Sequence, residues 1–305
     1  MKKIVLFVIV VVFLAIQSHA EVLRIGLLKI EDVVPVVIAK QKGFFKQAGL
    51  NVRIVYFNSA LERDAALEAK KIDAEIADPI AAVLLNESGF GVKIVSVALG
   101  VKPTEGIFSL LASPSSDIEK LSDLEGKTVA ISRNSIIEYV LDRILKPRGI
   151  KVKKVEIKKM PLRVEMLLKG RVDAALLPEP LATYALMRGA KLIYSDAYFK
   201  KSISHTVWVF SAKYLKKHPD VCVKFKKAYN KAVRLINKDS NRYRKTIEEI
   251  ARVPKLIKSD YIIPHYTPFE RLRCSDFYSY VNWMMEKKLI NREPSCRKIE
   301  YACGK

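Results

Sequence analysis

The sequence predicts an α/β protein of two similar lobes, each a mostly parallel sheet flanked by helices, joined by a hinge with two crossings. Three observations carry that expectation. The chain repeats itself at a spacing of about one hundred residues: Gly49-Leu50 with Val52 recurs as Gly149-Ile150 with Val152, and Ile72-Asp73-Ala74 recurs as Val172-Asp173-Ala174. After each Asp-Ala comes a short apolar run and a proline, at Asp78-Pro79 in one copy and Glu179-Pro180 in the other. A period this long is too large for a solenoid, so each copy should be a lobe with its own core, and two lobes enclose a cleft. The apolar residues also come in short β-branched runs that alternate with helical patterns, as in largely parallel sheets. Finally, 305 residues with 50% hydrophobic content and only 12 Gly and 13 Pro can bury two modest cores and leave little room for disorder.

The N-terminus bears on the compartment. Lys2-Lys3 precede an apolar run from Ile4 to Ile16 and then Gln17-Ser18-His19-Ala20, which gives a charged region, an apolar region and small residues at −3 and −1 of a cleavage point. Residues 1–20 are expected to be a signal peptide cut after Ala20, and the mature chain to be periplasmic or secreted. The apolar run falls short of the roughly 20 residues that a spanning helix needs. No Cys follows it, so a lipid anchor is not expected.

A strand over 22–28 opens the first lobe and leads through Lys29-Ile30-Glu31-Asp32 to a helix that ends near Gly43, with Phe44-Phe45 as core. A second strand over 52–56 runs through Phe57-Asn58 to a helix at Ser59, where Ser59 and Glu62 have capping-box spacing. A third strand ends at Ala77 and meets Asp78-Pro79, an N-cap followed by proline in the first helical turn. Each of these loops lies at the carboxyl end of a strand, where open α/β sheets bind ligands.

Residues 100–106 read as the outgoing crossing and 204–211 as the return, which divides the chain into 21–105, 106–211 and 212–305. In the second lobe a strand over 128–131 precedes Ser132-Arg133-Asn134-Ser135 and a helix from Ile136, with Ser135 and Glu138 at capping-box spacing. That helix start could seat an anion on its N–H groups with Arg133 as a clamp, or be an ordinary capped helix with Arg133 in water. Beyond Lys213 helices are expected over 219–237, 244–251 and 276–288, the last with Trp283 packed.

Charge and cysteines narrow the class. Without Lys2 and Lys3 the 54 basic residues become 52 against 32 acidic, a net charge of +20. The cations are spread over helix surfaces and strand ends without a nucleic-acid-binding module, so no nucleic-acid partner is expected; an anionic ligand or membrane surface would suit them. Cys222, Cys274, Cys296 and Cys303 are even in number and lack metal-type CxxC spacing, which predicts disulfides in an exported protein. The spacing favours Cys296 with Cys303 and Cys222 with Cys274. Gly-x-Ser-x-Gly, His-Glu-x-x-His and Gly-rich phosphate loops are absent, so hydrolase, zinc-protease and nucleotidase chemistry lack their residues.

Segments 35–49 (PVVIAKQKGFFKQAG), 72–79 (IDAEIADP), 124–131 (LEGKTVAI), 171–180 (RVDAALLPEP) and 209–237 are similar, in this order, to the nitrate, sulfonate and taurine family of ABC-importer solute-binding proteins. That family also contains binders of thiamine-pyrimidine precursors. The resemblance implies a type II periplasmic-binding-protein-like fold, capture of a small solute without a cofactor, and delivery to a membrane permease by a monomeric protein. It points to Lys29 to Asp32, Asn58-Ser59 and Asp78 in the first lobe, and to Arg133, Asn134, Ser135 and Glu179 in the second. Relatives often carry Gly-Ser at 134–135 and Asp-Pro or a similar pair at 179–180, so the ligand is not inherited. Lys29, Lys102, Arg133 and His205 favour an anion. Glu31, Asp32, Asp78, Glu105 and Glu179 favour a cation, an amine or a heterocycle with N–H groups. Enzymes of the same fold acting on a small heterocycle or carboxylate, and a sensor subunit, are the alternatives.

Overall fold

Residues 22–304 are described by a computed structural model; the expected signal peptide at 1–20 lies outside them. The apolar runs form ten strands: β1 (Val22–Leu27), β2 (Asn51–Tyr56), β3 (Ala74–Ala77), β4 (Val92–Leu99), β5 (Phe108–Ala112), β6 (Thr128–Ile131), β7 (Lys153–Glu156), β8 (Ala174–Pro178), β9 (Lys191–Ser195) and β10 (Thr206–Ser211). They make two five-stranded sheets of matching order, β2-β1-β3-β10-β4 and β7-β6-β8-β5-β9. In each sheet the strands before and after the repeated Asp-Ala pair in parallel, β1 with β2 and β3 in one, β6 with β7 and β8 in the other. Each sheet also holds one antiparallel strand, β10 in the first and β5 in the second.

The repeated residues have the same duties in both lobes. Asp73 accepts the Arg24 N–H at 2.9 Å, and Asp173 accepts the Thr128 N–H at 2.7 Å, so each carboxylate ties the start of the neighbouring parallel strand. The Asp73 carbonyl then accepts from Ser211 N and the Asp173 carbonyl from Ser113 N, which docks the antiparallel strand in each sheet. Gly49 and Gly149 turn their chains at φ +71 and +70, where a side chain would be strained.

The chain passes from one sheet to the other twice, between β4 and β5 and between β9 and β10. The outgoing crossing lies between Leu99 and Phe108. Thr206–Ser211, expected at the return, is instead β10 of the first sheet, because Val207, Val209 and Phe210 pair with β3 and β4 as buried strand residues. The return crossing therefore lies before residue 206.

Helices follow at Val221–Lys238, Ser240–Ile250 and Cys274–Glu286. The last spans both lobes. Its Val281 and Met284 join one buried apolar cluster with residues of both sheets, Tyr280 meets Tyr139 at 4.5 Å between ring centres, and Trp283 Nε1 donates to Asp142 at 3.0 Å. The disulfides are Cys222–Cys303 and Cys274–Cys296, with Cα atoms 5.3 and 5.7 Å apart, which corrects the expected pairing. The tail explains the difference: Tyr301 N donates to the Ile94 carbonyl, so the chain past Cys296 runs along β4 and carries Cys303 to the Val221–Lys238 helix. Among the described residues no helix is long and apolar enough to cross a membrane.

Candidate functional site

Between the sheets lies a cavity of about 150 Å³ built from the carboxyl ends of strands in both lobes. The first lobe supplies Leu28, Ile30, Glu31 and Asp32 after β1, Asn58-Ser59 after β2 and Asp78 after β3; the second supplies Ser132 and Ser135 after β6, Lys158 after β7 and Glu179 after β8. Four carboxyl groups therefore face one small space.

Glu31 and Asp32 sit on a 3-10 turn, Glu31–Val33, and are 4% and 6% exposed. The Tyr261 hydroxyl donates to Glu31 at 2.7 Å and the Thr206 hydroxyl to Asp32 at 2.6 Å. Burial, with Asp32 and Glu179 nearby, pushes the Glu31 carboxyl up to about 8. Burial also raises Asp32, against the Thr206 hydrogen bond. Glu179 follows β8, its Glu179–Pro180 peptide cis, and accepts the Thr183 N–H at 3.2 Å; burial raises it as well. Asp32 is no helix cap, whereas Asp78 is one: its Oδ1 accepts from Ala81 N at 2.8 Å at the start of the Pro79–Glu87 helix.

Asp78 does more than cap. Its Oδ2 accepts the Ile136 N–H at 3.3 Å from across the cleft. The N-terminus of the Ile136–Leu145 helix, where the sequence allows a ligand anion, thus already faces a carboxylate of the protein. Burial raises Asp78, opposed by its bonds from Ala81 and Ile136 and by Arg63.

Several expected cations are elsewhere. Arg133 is exposed and donates to the Lys154 carbonyl at 3.0 Å, away from the cavity lining. Lys29 is exposed over the Tyr56 ring at 5.1 Å and lines an outer recess shared with Asn58 and Glu179. His205 is buried behind the crossing, its Nδ1 2.8 Å from the Tyr280 hydroxyl, and burial lowers it to about 4, so it is neutral at physiological pH. Asn134 is exposed in a left-handed turn at φ +55, and its N–H donates to Glu138 at 2.8 Å. The capping box there is split: Ser135 Oγ accepts from Ile137 N at 3.3 Å, and Glu138 reaches Asn134. Ser59 and Glu62 form half of the expected box: Ser59 Oγ accepts from Glu62 N, while Glu62 accepts from Asn58 N, one residue before the cap. Lys102 N donates to Glu105, which also takes the Val101 N–H and the Thr267 hydroxyl and so fastens the outgoing crossing behind the cleft.

Sequence reasoning missed two arginines that line the cavity, Arg63 and Arg163. They stand one repeat apart, on the helices that follow β2 and β7, and both are buried. Arg63 is paired, to Asp64 at 2.6 Å and Glu75 at 3.4 Å. It crosses over Gly26, where an added Cβ would fall 3.2 Å from Arg63 Cγ and 2.3 Å from Ile72 Cδ1. One period on, Asp64 and Glu75 become Val164 and Ala175. Arg163 accordingly donates to backbone carbonyls, from Nε and Nη2 to Ile157 and from Nη1 to Leu176. Burial lowers it only to about 10, which leaves it charged.

Comparison with known proteins agrees with this architecture. A family model described as NMT1/THI5 like matches residues 31–241. A protein of Bacillus subtilis (strain 168) named for aliphatic sulfonate binding is 27% identical over 254 residues, covering 76% of this chain and 74% of that protein. A Haemophilus influenzae protein named for thiamine biosynthesis is 30% identical over 149 residues, 48% of this chain and 45% of that protein. Among solved structures, the alkanesulfonate-binding protein SsuA from Xanthomonas axonopodis pv. citri bound to MOPS superposes with a TM-score of 0.78 at 19% identity, covering 92% of this chain and 98% of that one. The fold is thus the two-lobed periplasmic-binding fold.

Proposed function

This chain belongs to the NMT1/THI5-like family, and we propose that it serves as the extracytoplasmic substrate-binding protein of an ABC importer. It captures one small polar solute between the lobes and presents it to a membrane permease, as a monomer, without enzymatic chemistry and without a nucleic-acid partner. Closure is favoured by whatever contacts the solute makes only in the closed state. The signal peptide at 1–20 would deliver it to the periplasm or outside, with Glu21 as its first residue; N-terminal sequencing of exported protein tests that.

The observation that carries the reading is the acidic cleft. Glu31, Asp32, Asp78 and Glu179 line it, while Arg133 and His205 do not. Carboxyl oxygens accept N–H groups, and Asp78 fills the helix start that would hold an oxyanion. The geometry therefore supports a solute that donates N–H bonds, an amine or aminopyrimidine, over nitrate-like or sulfonate-like anions. Arg163 favours a second reading, a zwitterion whose anionic end approaches that guanidinium.

A thermal-shift screen of the mature protein decides among them, since a ligand at a hundred times its dissociation constant adds about 2.7 kcal/mol. Amines and aminopyrimidines should raise the melting temperature, and aminosulfonates should do so on the second reading. Stabilisation by plain oxyanions alone would defeat the N–H-donor assignment. No stabilisation by any class would defeat the binding role itself.

A further inference from the structure

The Val221–Lys238 helix has two opposite faces. Cys222, Phe225, Tyr229, Ala232 and Ile236 are buried against the first lobe. On the other side Lys224, Lys227, Lys231, Arg234 and Lys238 follow one another at spacings of three and four, which sets them in one row about 21 Å long. Lys227, Lys231, Arg234 and Lys238 are exposed. Among the described residues, Lys224 alone of the row pairs with a carboxylate, Asp220 one turn earlier. Lys231 lies 4.4 Å over the Phe44 ring and donates to Gln47, which brings exposed Lys46 alongside.

Like charges one turn apart destabilise a helix. Beyond the Lys224–Asp220 pair, the row on 221–238 carries that repulsion without a carboxylate partner among the described residues. A straight line of cations suits a surface that repeats its negative charge. Val223, 46% exposed beside the first turn of the row, adds an apolar group that fits the headgroup region of a bilayer and has no counterpart on a phosphodiester backbone.

We infer that this basic row is a docking face for an anionic lipid surface, which holds the protein beside the membrane where its permease would sit. The membrane's relevance rests on the importer reading; the lipid contact itself is independent of what the cleft binds. Each Lys or Arg close to an anionic leaflet contributes enough to change the partition coefficient about five-fold, within a Debye length of the surface.

Flotation of residues 21–305 with vesicles tests it. The protein should float with phosphatidylcholine vesicles containing phosphatidylglycerol, fail to float with phosphatidylcholine alone, and be released by about 0.5 M salt, where screening shortens the reach of the charges. The triple variant Lys227→Gln, Lys231→Gln, Arg234→Gln should partition about a hundred-fold less, with its circular-dichroism spectrum unchanged. A control of equal charge loss on the other lobe, Lys151→Gln, Arg171→Gln, Lys201→Gln, should float like the parent. Equal losses in both triples would reduce the effect to net charge and overturn the row, as would absence of flotation at low salt. Tighter binding to duplex DNA than to the anionic vesicles would overturn the lipid assignment. A cleft that binds nothing in the solute screen leaves each of these outcomes readable, because none uses a cleft residue.

Discussion

Burial raises all four carboxyl groups that line the cleft, Glu31 among them. It is pushed from 4.5 up to about 8 by burial, so the folded state keeps a proton that the unfolded chain releases. Where the folded state binds more protons, stability falls as pH rises, here from about 4.5 towards about 8. The melting temperature should therefore decline across that window, and Glu31→Gln should flatten the decline; parallel profiles for the two proteins would refute the proton assignment. Affinity for a protonated amine should move the other way, rising as Glu31 ionises. Glu179→Gln should weaken an N–H-donor solute by about 1.5 to 3 kcal/mol, as for a charged hydrogen-bond partner, while Arg133→Ala stays within about two-fold. Calorimetry on both variants settles the ranking, and a larger loss at Arg133 would reverse it. At this scale the sequence is a partial guide. Prolines beside Asp78 and Glu179 fix them at strand ends and make them legible. Loop position alone says nothing of where a side chain turns, so Arg133 and His205 are legible as cleft-side neighbours and not as lining. The repeat does pair Arg63 with Arg163, yet a lone arginine inside a helix reads as surface until burial is known.

Strands and helices were more legible, since period and caps act locally: β6 matches the expected span, β1 and β2 agree to within a residue at each end, and the C-terminal helices agree to within a turn at most ends. Pairing between distant elements is another matter. The antiparallel character of β5 and β10 follows from the crossings, which no local pattern encodes, and the disulfide connectivity follows from the path of the tail along β4. The separations of 81 and 22 residues let chain entropy rank the two bridges, at about 4.5 kcal/mol for Cys222–Cys303 and about 3.4 kcal/mol for Cys274–Cys296. Peptide mapping of unreduced protein should recover these two pairs. Loss of the first, in Cys222→Ser with Cys303→Ser, should lower the melting temperature more than loss of the second, and the opposite order would mean that native packing around the Cys274–Glu286 helix outweighs loop closure.

Across the whole molecule, Asp78 supplies a direct tie between the lobes within the cleft by linking the cap of a first-lobe helix to the Ile136 N–H of the second. The Cys274–Glu286 helix packs on both lobes from behind, as a hinge-side brace whose contacts do not require the cleft to be shut. Opening should therefore break the Asp78 bond while sparing the Tyr139–Tyr280 contact. Asp78→Asn keeps a good N-cap for the Pro79–Glu87 helix and removes the charge facing Ile136. A hydrogen bond of ordinary strength is worth about 1 kcal/mol, so the ligand-free equilibrium should shift about five-fold towards the open form, and apparent affinity should fall by up to the same factor as the competent population shrinks. Hydrogen exchange at the start of the Ile136–Leu145 helix should accelerate in Asp78→Asn while exchange around Tyr280 stays as in the parent. Unchanged exchange at Ile136 together with unchanged affinity would show that Asp78 is a helix cap alone, and that closure is driven entirely by the solute.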